Sequence, residues 1–512
     1  MHWAYEAAKK ILKRKPTGIQ TCASGVSPSG FVHVGNFREL ATTYFVVTAL
    51  KDLGGDPRFI LSWDDYDRLR KLPKNVTGVA ETEIGKPYTK VPGPFGSSES
   101  YGTYFEQLFE KDLQKLGIAP EYLYQTKHYE SGVYDEALKK VLRNRKEIYD
   151  ILARFRTEKP DATEREHYFP ISLYCETCQH DQTTITDFDE ATLTLHYTCK
   201  FGHQGSQKIG YGQQVKLHWK IDWPMRWQYE GVVFEPGGKD HSSKNGSFDV
   251  ATAVAKEIFD YPAPEYEPYD FVNIKGQTKK MSSSAGNIIT LDELLDIYTP
   301  EVVFYLYGKY LPKAQFNLGL DEDVLRNYSE FERKVAAVKN KSADETLQQL
   351  IFLTGVDLTQ TYPAFSHVVN ILALTANDQR LTQNILEKEG YQEAAIAHLL
   401  KRAAYWIEND ASSRLLTIRQ QKDDALYQKL SPQIKAELAA FVALLENTTR
   451  DEPDLMQKIY DLTPAKDKKT KRKDQKELFQ AIYQLTLGQD HGPRIPLLVK
   501  VVGKERIIQL LN

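Results

Sequence analysis

Between residues 18 and 63 the apolar and polar positions read as strand, turn, helix and strand. Residues 18–26 (GIQTCASGV) form a mostly apolar run of strand length, residues 27–30 supply a turn, and 36–53 carry apolar residues through a helix-length stretch closed by Gly54 and Gly55. Residues 57–63 (PRFILSW) read as the next strand. A βαβ crossover of this kind opens a nucleotide-binding parallel sheet. The pattern then changes. A Gly/Pro-rich loop at 85–102 leads into helical stretches near 104–116 and 134–154, and a short β segment with paired cysteines follows. Strand-like text resumes at 215–221 and 231–234, so 86–214 reads as an insertion between two halves of one sheet. After Thr290 the chain becomes helical, with apolar residues at helix spacing in 392–407 and 434–445. The expected fold is α/β, with a Rossmann-type parallel-sheet domain (1–85 and 215–260), a connective insertion that carries the paired cysteines (86–214), a region that carries KMSSS (261–340) and an all-α domain (341–512).

Length agrees with several domains, since 512 residues exceed what one core of ordinary size takes. No apolar run approaches the roughly 20 residues that cross a bilayer, and the start of the chain lacks the apolar centre of a secretory signal, so a cytoplasmic location with no membrane partner is expected. The net charge of −3 does not exclude a nucleic-acid partner, because phosphate binding needs a local basic surface and not a basic whole. One such surface is the basic run at 466–476 (KDKKTKRKDQK), equally readable as a solvated loop or as an RNA contact. Four cysteines are too few for a disulfide framework, and three of them cluster.

That cluster is Cys175-x2-Cys178 followed, after two strand-like stretches, by Cys199 and His203. Two pairs of soft ligands on two turns suit a tetrahedral structural Zn2+, with His180 or His196 as alternative fourth ligands. A redox Cys-x2-Cys would lack its usual context. No open coordination position is expected, so the metal would hold the insertion together.

Two further motifs carry chemistry. At 28–36 (PSGFVHVGN) a turn after a strand delivers His33, Gly35 and Asn36 to a helix start, where backbone N–H groups and the helix dipole favour phosphate. Far downstream, KKMSSS at 279–284 sits behind Gly276 and Gln277, where a loop bearing Lys280 could close over a leaving pyrophosphate. Each motif alone is weak, and the pair in this order is much stronger.

Together they resemble the HIGH and KMSKS signatures of class I aminoacyl-tRNA synthetases. Asn36 stands for the final His and Ser283 for the second Lys, and HxGN with KMSSS is the variant of the class I lysyl-tRNA synthetases. Lys279 or Lys239 could supply the missing cation. SWDDYDRLRK (62–71), VPGPFGSSESY (91–101), KLHWKIDWPMRW (216–227), EPGGKDH (235–241) and YDFVNIKG (269–276) are similar to the same family. The resemblance covers about residues 20–290 and extends thinly to Gly492, Pro493 and Arg494. It implies ATP with Mg2+, L-lysine and tRNA(Lys) as substrates and partners, and no DNA.

What the resemblance implies for the site follows position by position. Pro28, Gly30, His33, Gly35, Asn36, Lys280, Met281, Ser282, Ser283 and Ser284 would hold the ATP phosphates, with His33, Asn36 and Lys280 balancing charge as the lysine carboxylate attacks the α-phosphorus. Independently of the family, Gly238 and Asp240 sit just past an expected strand end, where the switch point of a parallel sheet places a ribose. Gly25, Ser27, Trp219, His241 and Tyr269 would line the lysine site, and Asp64 or Asp65 would meet a lysine ammonium, because a cation on an apolar stem needs an acceptor and flat walls. Trp223 and Trp227 read equally well as core. The family also implies transfer to the 2′-hydroxyl of the terminal adenosine, activation that requires bound tRNA, and an anticodon-binding helical domain, where stacking aromatics would read a single-stranded, uracil-rich anticodon. Three rivals remain: a glutamate or glutamine synthetase, a small-molecule adenylyltransferase with the same sheet, and a catalytically idle RNA-binding paralogue.

Overall fold

The computed structural model describes residues 1–156, 161–276, 281, 287–448, 454–463 and 467–512. These fall into two compact units: 1–295, 300–319 and 334–356 in the first, and 296–299, 320–333 and 357–512 in the second.

The first unit is built on a five-stranded parallel sheet in the order Glu265–Tyr269, Val232–Gly238, Ile19–Val26, Asp56–Trp63, Glu121–Tyr124. All seven residues of Val232–Gly238 are buried, as a strand covered on both faces requires. The first crossover is the helix Val34–Asp52, which buries Phe37, Leu40, Phe45, Val46 and Leu50 on several sides. Arg38 lies inside the same helix and donates to the carbonyls of Leu311 (2.9 Å) and Pro312 (3.0 Å), so the backbone of a later segment supports a buried cation. The carboxyl ends align, with Val26 beside Trp63, Trp63 beside Tyr124, and Gly238 beside Tyr269. Loops at those ends form the ligand-binding edge of an open parallel sheet.

Three expectations need correcting here. Residues 215–221 are strand only over Val215–Leu217, which pairs antiparallel with Ile171–Leu173 outside the main sheet. The helix Trp219–Glu230 follows, because Trp219, Trp223 and Trp227 recur every fourth residue and form one row with centroids 4.9 Å apart at each step, the first pair stacked and the second tilted by 56°. The span 86–214 is not wholly an insertion either, since Glu121–Tyr124 is an edge strand of the sheet. A strand of four residues with only Leu123 buried gives little periodicity to read. The stretch 134–154 is two helices, Asp135–Arg143 and Arg145–Ala153, separated at Asn144.

The cysteine-bearing stretch forms a three-stranded antiparallel ribbon, Thr183–Asp189, Thr194–Cys199 and Gln204–Lys208. The second unit is helical among its described residues; it takes in 296–299 and 320–333, and its long stretch starts at 357 and not at 341, because 334–356 pack with the first unit. Within it Phe365 stacks flat on Tyr328 at 3.8 Å, and the buried indole of Trp406 donates to the carbonyl of Leu320 at 2.7 Å. The basic run, readable as a loop, enters the helix Lys468–Leu487. Among the described residues no helix is long and apolar enough to cross a membrane.

Candidate functional site

His33 caps the helix Val34–Asp52. Its Nδ1 accepts the Gly35 N–H at 3.0 Å, while Asn36 Oδ1 accepts the His33 N–H at 3.3 Å, a reciprocal cap. An acceptor at Nδ1 places the imidazole proton on Nε2, so the ring is a donor there. Gly35 is required by this geometry, since a Cβ would lie 2.8 Å from the His33 ring. That Cβ would also lie 3.5 Å from the methyl of Met281, which is buried against the turn. Just beyond, the Val34 N–H donates to Ile289 at 3.0 Å and His33 bridges to Thr290. The first motif therefore meets the segment that carries the second. Lys280, Ser282, Ser283 and Ser284, with Lys279, lie outside the described residues.

At the same sheet edge opens a cavity of about 640 Å³ whose lining includes Gly25, Ser27, His33, Asp64, Trp219, His241 and Met281. Of the residues the sequence points to, it brings these seven together. Asp65 does not line it: the carboxylate is buried elsewhere and accepts the Thr126 N–H at 2.7 Å. Tyr269 acts from behind, donating its hydroxyl to Glu39 Oε2 at 2.7 Å. Asn36 is exposed at the helix start. Pro28 and Gly30 stay in the turn, which Tyr101 ties down by donating to the Ser29 carbonyl at 3.0 Å. Gly238 ends its strand with room for the Tyr269 hydroxyl, 3.4 Å from where a Cβ would be, and Asp240 follows in the turn Lys239–His241. Lys239 pairs with Asp270 at 2.8 Å.

Two carboxylates in the cavity wall escaped the sequence reading. Glu39 accepts the Gly25 N–H at 2.8 Å and the Tyr269 hydroxyl. Burial pushes its carboxyl up to about 8, against those two hydrogen bonds, and Glu235 and Asp64 push it further in the same direction. Glu235 accepts the Trp227 indole N–H at 2.6 Å, and burial raises it to about 7 although Arg226 pulls the other way. The available signal was an acid among apolar neighbours in a buried element: Glu39 in the crossover helix and Glu235 in VVFEPGG. Asp64 differs from both. Burial raises it, but Arg226 Nη1 sits 2.8 Å from its Oδ1 and also donates to Ser62 Oγ at 2.7 Å.

Arg226 belongs to a buried network beneath the cavity. It pairs with Asp222 at 3.3 Å and lies 5.3 Å from the ring centroid of Trp219, while Lys216 joins Asp222 and Asp67, each at 3.0 Å. Burial opposes the charge on Asp222, yet Lys216 and Arg226 hold its carboxyl below the usual range. Asp64 is thereby neutralised within the protein, whereas Glu39 is held by a backbone N–H and a hydroxyl.

In the ribbon, Cys175 Sγ and His203 Nδ1 are 3.6 Å apart, Cys178 and Cys199 sulfurs 3.5 Å apart, and all four ligand atoms lie within 4.8 Å of one another. Such edges match a tetrahedron with ligand bonds of about 2.0–2.3 Å. Burial works against a thiolate at Cys175, but the backbone N–H groups of Cys178 and Thr177 bring it to about 6. His180 is engaged through both ring nitrogens, with the carbonyls of Cys178 (2.9 Å) and Thr82 (2.8 Å), so it is not the fourth donor. His196 points from an exposed position in the middle ribbon strand, outside the cluster.

Comparison with known proteins adds the following. Residues 1–355 match the family model for tRNA synthetases class I (K). The chain is 36% identical to a lysine–tRNA ligase of Treponema pallidum (strain Nichols), with 100% of this chain and 98% of the relative covered. It is 32% identical to a lysine–tRNA ligase of Thermococcus kodakarensis, covering 100% and 99%. A solved glutamate tRNA ligase of Elizabethkingia meningosepticum aligns at a TM-score of 0.45 and 14% identity over 96% of this chain and 98% of that one.

Proposed function

The chain belongs to the class I (K) tRNA synthetases, and its activity is the ATP-dependent ligation of lysine to tRNA; from that premise we propose how its residues divide the work. Lysine brings two ammonium groups and one carboxylate. Glu39 receives an ammonium, because burial and neighbouring acids oppose its ionisation without the offset that Arg226 gives Glu235 and Asp64, so it gains most from a cation. Glu235 stands second to it, and Asp64, already paired with Arg226, shapes the wall instead. Trp219 supplies the flat side against the methylene stem, with Gly25, Ser27 and His241 around it.

The reaction is attack by the lysine carboxylate on the α-phosphorus, giving lysyl-adenylate and pyrophosphate. His33 Nε2–H and the Asn36 amide donate to phosphate oxygens as negative charge builds, and the N-terminus of Val34–Asp52 adds its dipole. Lys280 completes the charge balance. Magnesium accompanies ATP and neutralises phosphate charge when bound. Gly238 and Asp240 take the ribose. Cys175, Cys178, Cys199 and His203 hold Zn2+, which fastens the ribbon and takes no part in the chemistry. The helical second unit binds the anticodon of the tRNA that reads lysine codons.

The observation that carries this reading is the meeting of His33 and Gly35 with Met281 at the mouth of a carboxylate-lined cavity. Amino-acid-dependent ATP–pyrophosphate exchange, run with and without tRNA across lysine, glutamate, glutamine and arginine, tests it. Exchange with lysine alone is expected, and exchange with glutamate but not lysine would reassign the site.

A further inference from the structure

The basic run at 467–476 carries Lys468, Lys469, Lys471, Arg472, Lys473 and Lys476 against Asp467 and Asp474, in a chain whose net charge is −3. From Lys468 onward the run is the first half of the helix Lys468–Leu487. At about 100° per residue, Lys468, Lys469, Arg472, Lys473 and Lys476 fall within an arc of about 140°, and the stripe rises about 12 Å. All five are exposed. The buried residues Leu478, Ala481, Ile482 and Leu485 lie on another face, and Gln475 ties the underside by donating to the Tyr460 carbonyl at 3.1 Å. The acids avoid the stripe. Asp467 is the N-cap, accepting from the N–H groups of Lys469 and Thr470. Glu477 meets Lys473 from the flank at 3.7 Å, and Asp461 meets Lys471, which is off the stripe, at the same distance.

Helix stability does not account for this arrangement. A helix N-terminus carries positive partial charge, so acids are favoured in its first turn and each cation there is unfavourable by some tenths of a kcal/mol. Here the first turn holds no acid and two lysines, with further cations in the next turn. Cations i and i+4 along one row also repel. A polyanion lying along the stripe would turn both penalties into attraction.

We propose that this helix face is a docking surface for the phosphate backbone of the tRNA, with the five side chains together meeting about two or three phosphates. The inference rests on the chain being a tRNA ligase, since that supplies an RNA polyanion as the occupant. It is a backbone contact and carries no base discrimination, because lysine and arginine on an open helix face offer charge without a pocket.

The test uses the full-length enzyme with Lys468, Lys469, Arg472, Lys473 and Lys476 changed to Gln, beside a control in which the four lysines become Arg. Lysylation kinetics are measured from about 50 to 250 mM salt, with direct tRNA binding in parallel. In the Gln variant the KM and Kd for tRNA are expected to rise by 10-fold or more, the log–log salt slope to flatten by about 2, and kcat at saturating tRNA and the KM for lysine to stay unchanged. The Arg control should match wild type. Unchanged tRNA affinity and salt slope in the Gln variant would overturn the proposal, as would lost binding of anionic vesicles with tRNA binding intact. If the five-fold variant fails to fold, the pairs Lys468→Gln/Arg472→Gln and Lys469→Gln/Lys473→Gln carry the same test at smaller amplitude. A wild-type enzyme that charges no tRNA with lysine would refute the function itself, and wild-type charging with an indifferent Gln variant would refute the surface alone.

Discussion

If Glu39 receives a lysine ammonium, lysine binding must be coupled to the loss of a proton. In the ligand-free protein its carboxyl is held near 8, burial being the largest cause. At pH 7 about nine molecules in ten then keep the proton, and ionising the group to meet the ammonium is opposed by about 1.4 kcal/mol. Binding at pH 7 should therefore release about 0.9 proton from Glu39, and the lysine Kd should fall about 25-fold between pH 6 and pH 7.5. Glu235, held near 7, would add a smaller release if it takes the second ammonium. Isothermal titration calorimetry in buffers of different ionisation enthalpy reads the proton directly. Glu39→Gln should abolish that share of the release and weaken lysine by roughly 2–4 kcal/mol, the usual effect of removing one partner of a buried charge pair. The stability sign is opposite. A carboxyl raised from 4.5 in the unfolded chain toward 8 in the folded one loses stability as pH climbs through that window, by up to about 3 kcal/mol at pH 7. Without lysine, the Gln variant should thus be more stable than wild type at pH 8 and no more stable at pH 4. A pH-independent Kd with no proton release would refute the reasoning, whatever the activity of the variant.

Other outcomes follow from the same geometry. Arg226→Met leaves Asp64 and Asp222 buried without their guanidinium, and urea denaturation should show a loss of about 3–5 kcal/mol with a raised KM for lysine; a loss under 1 kcal/mol would mean the network is not what holds the floor. Gly35→Ala sets a methyl 2.8 Å from the His33 ring, so kcat for adenylate formation should drop by 100-fold or more while the KM for lysine changes little; equal effects on both would contradict the placement of His33 at the phosphates. Chelation, or Cys199→Ser, should remove one equivalent of zinc and loosen the ribbon, read as accelerated hydrogen exchange over 171–208; a metal-free preparation with unchanged exchange would dismiss the structural metal.

Much of this was legible before folding. Strand periodicity and the turn before His33 placed the first crossover within a residue or two, because a buried parallel strand and an amphipathic or buried helix impose their period directly on the sequence. The cysteine spacing likewise marked the ribbon cluster, since two knuckles fix their ligands locally. Local pattern failed where the competing signal came from elsewhere in the chain. The alternation at 215–221 fits a strand as well as a helix, and only the packing of Trp219, Trp223 and Trp227 in one row decided between them.

Sequence by itself determined the family and the sheet's opening unit. Tertiary structure decided how the candidate acids differ in their partners. Asp64, Asp65, Glu39 and Glu235 are alike as carboxylates, and an ion pair with Arg226, a backbone N–H from Thr126, a hydroxyl from Tyr269 and an indole from Trp227 set them apart. Those partners come from distant strands and helices. A charge's ionisation depends on the dielectric and dipoles that fold around it, which no local stretch of sequence contains.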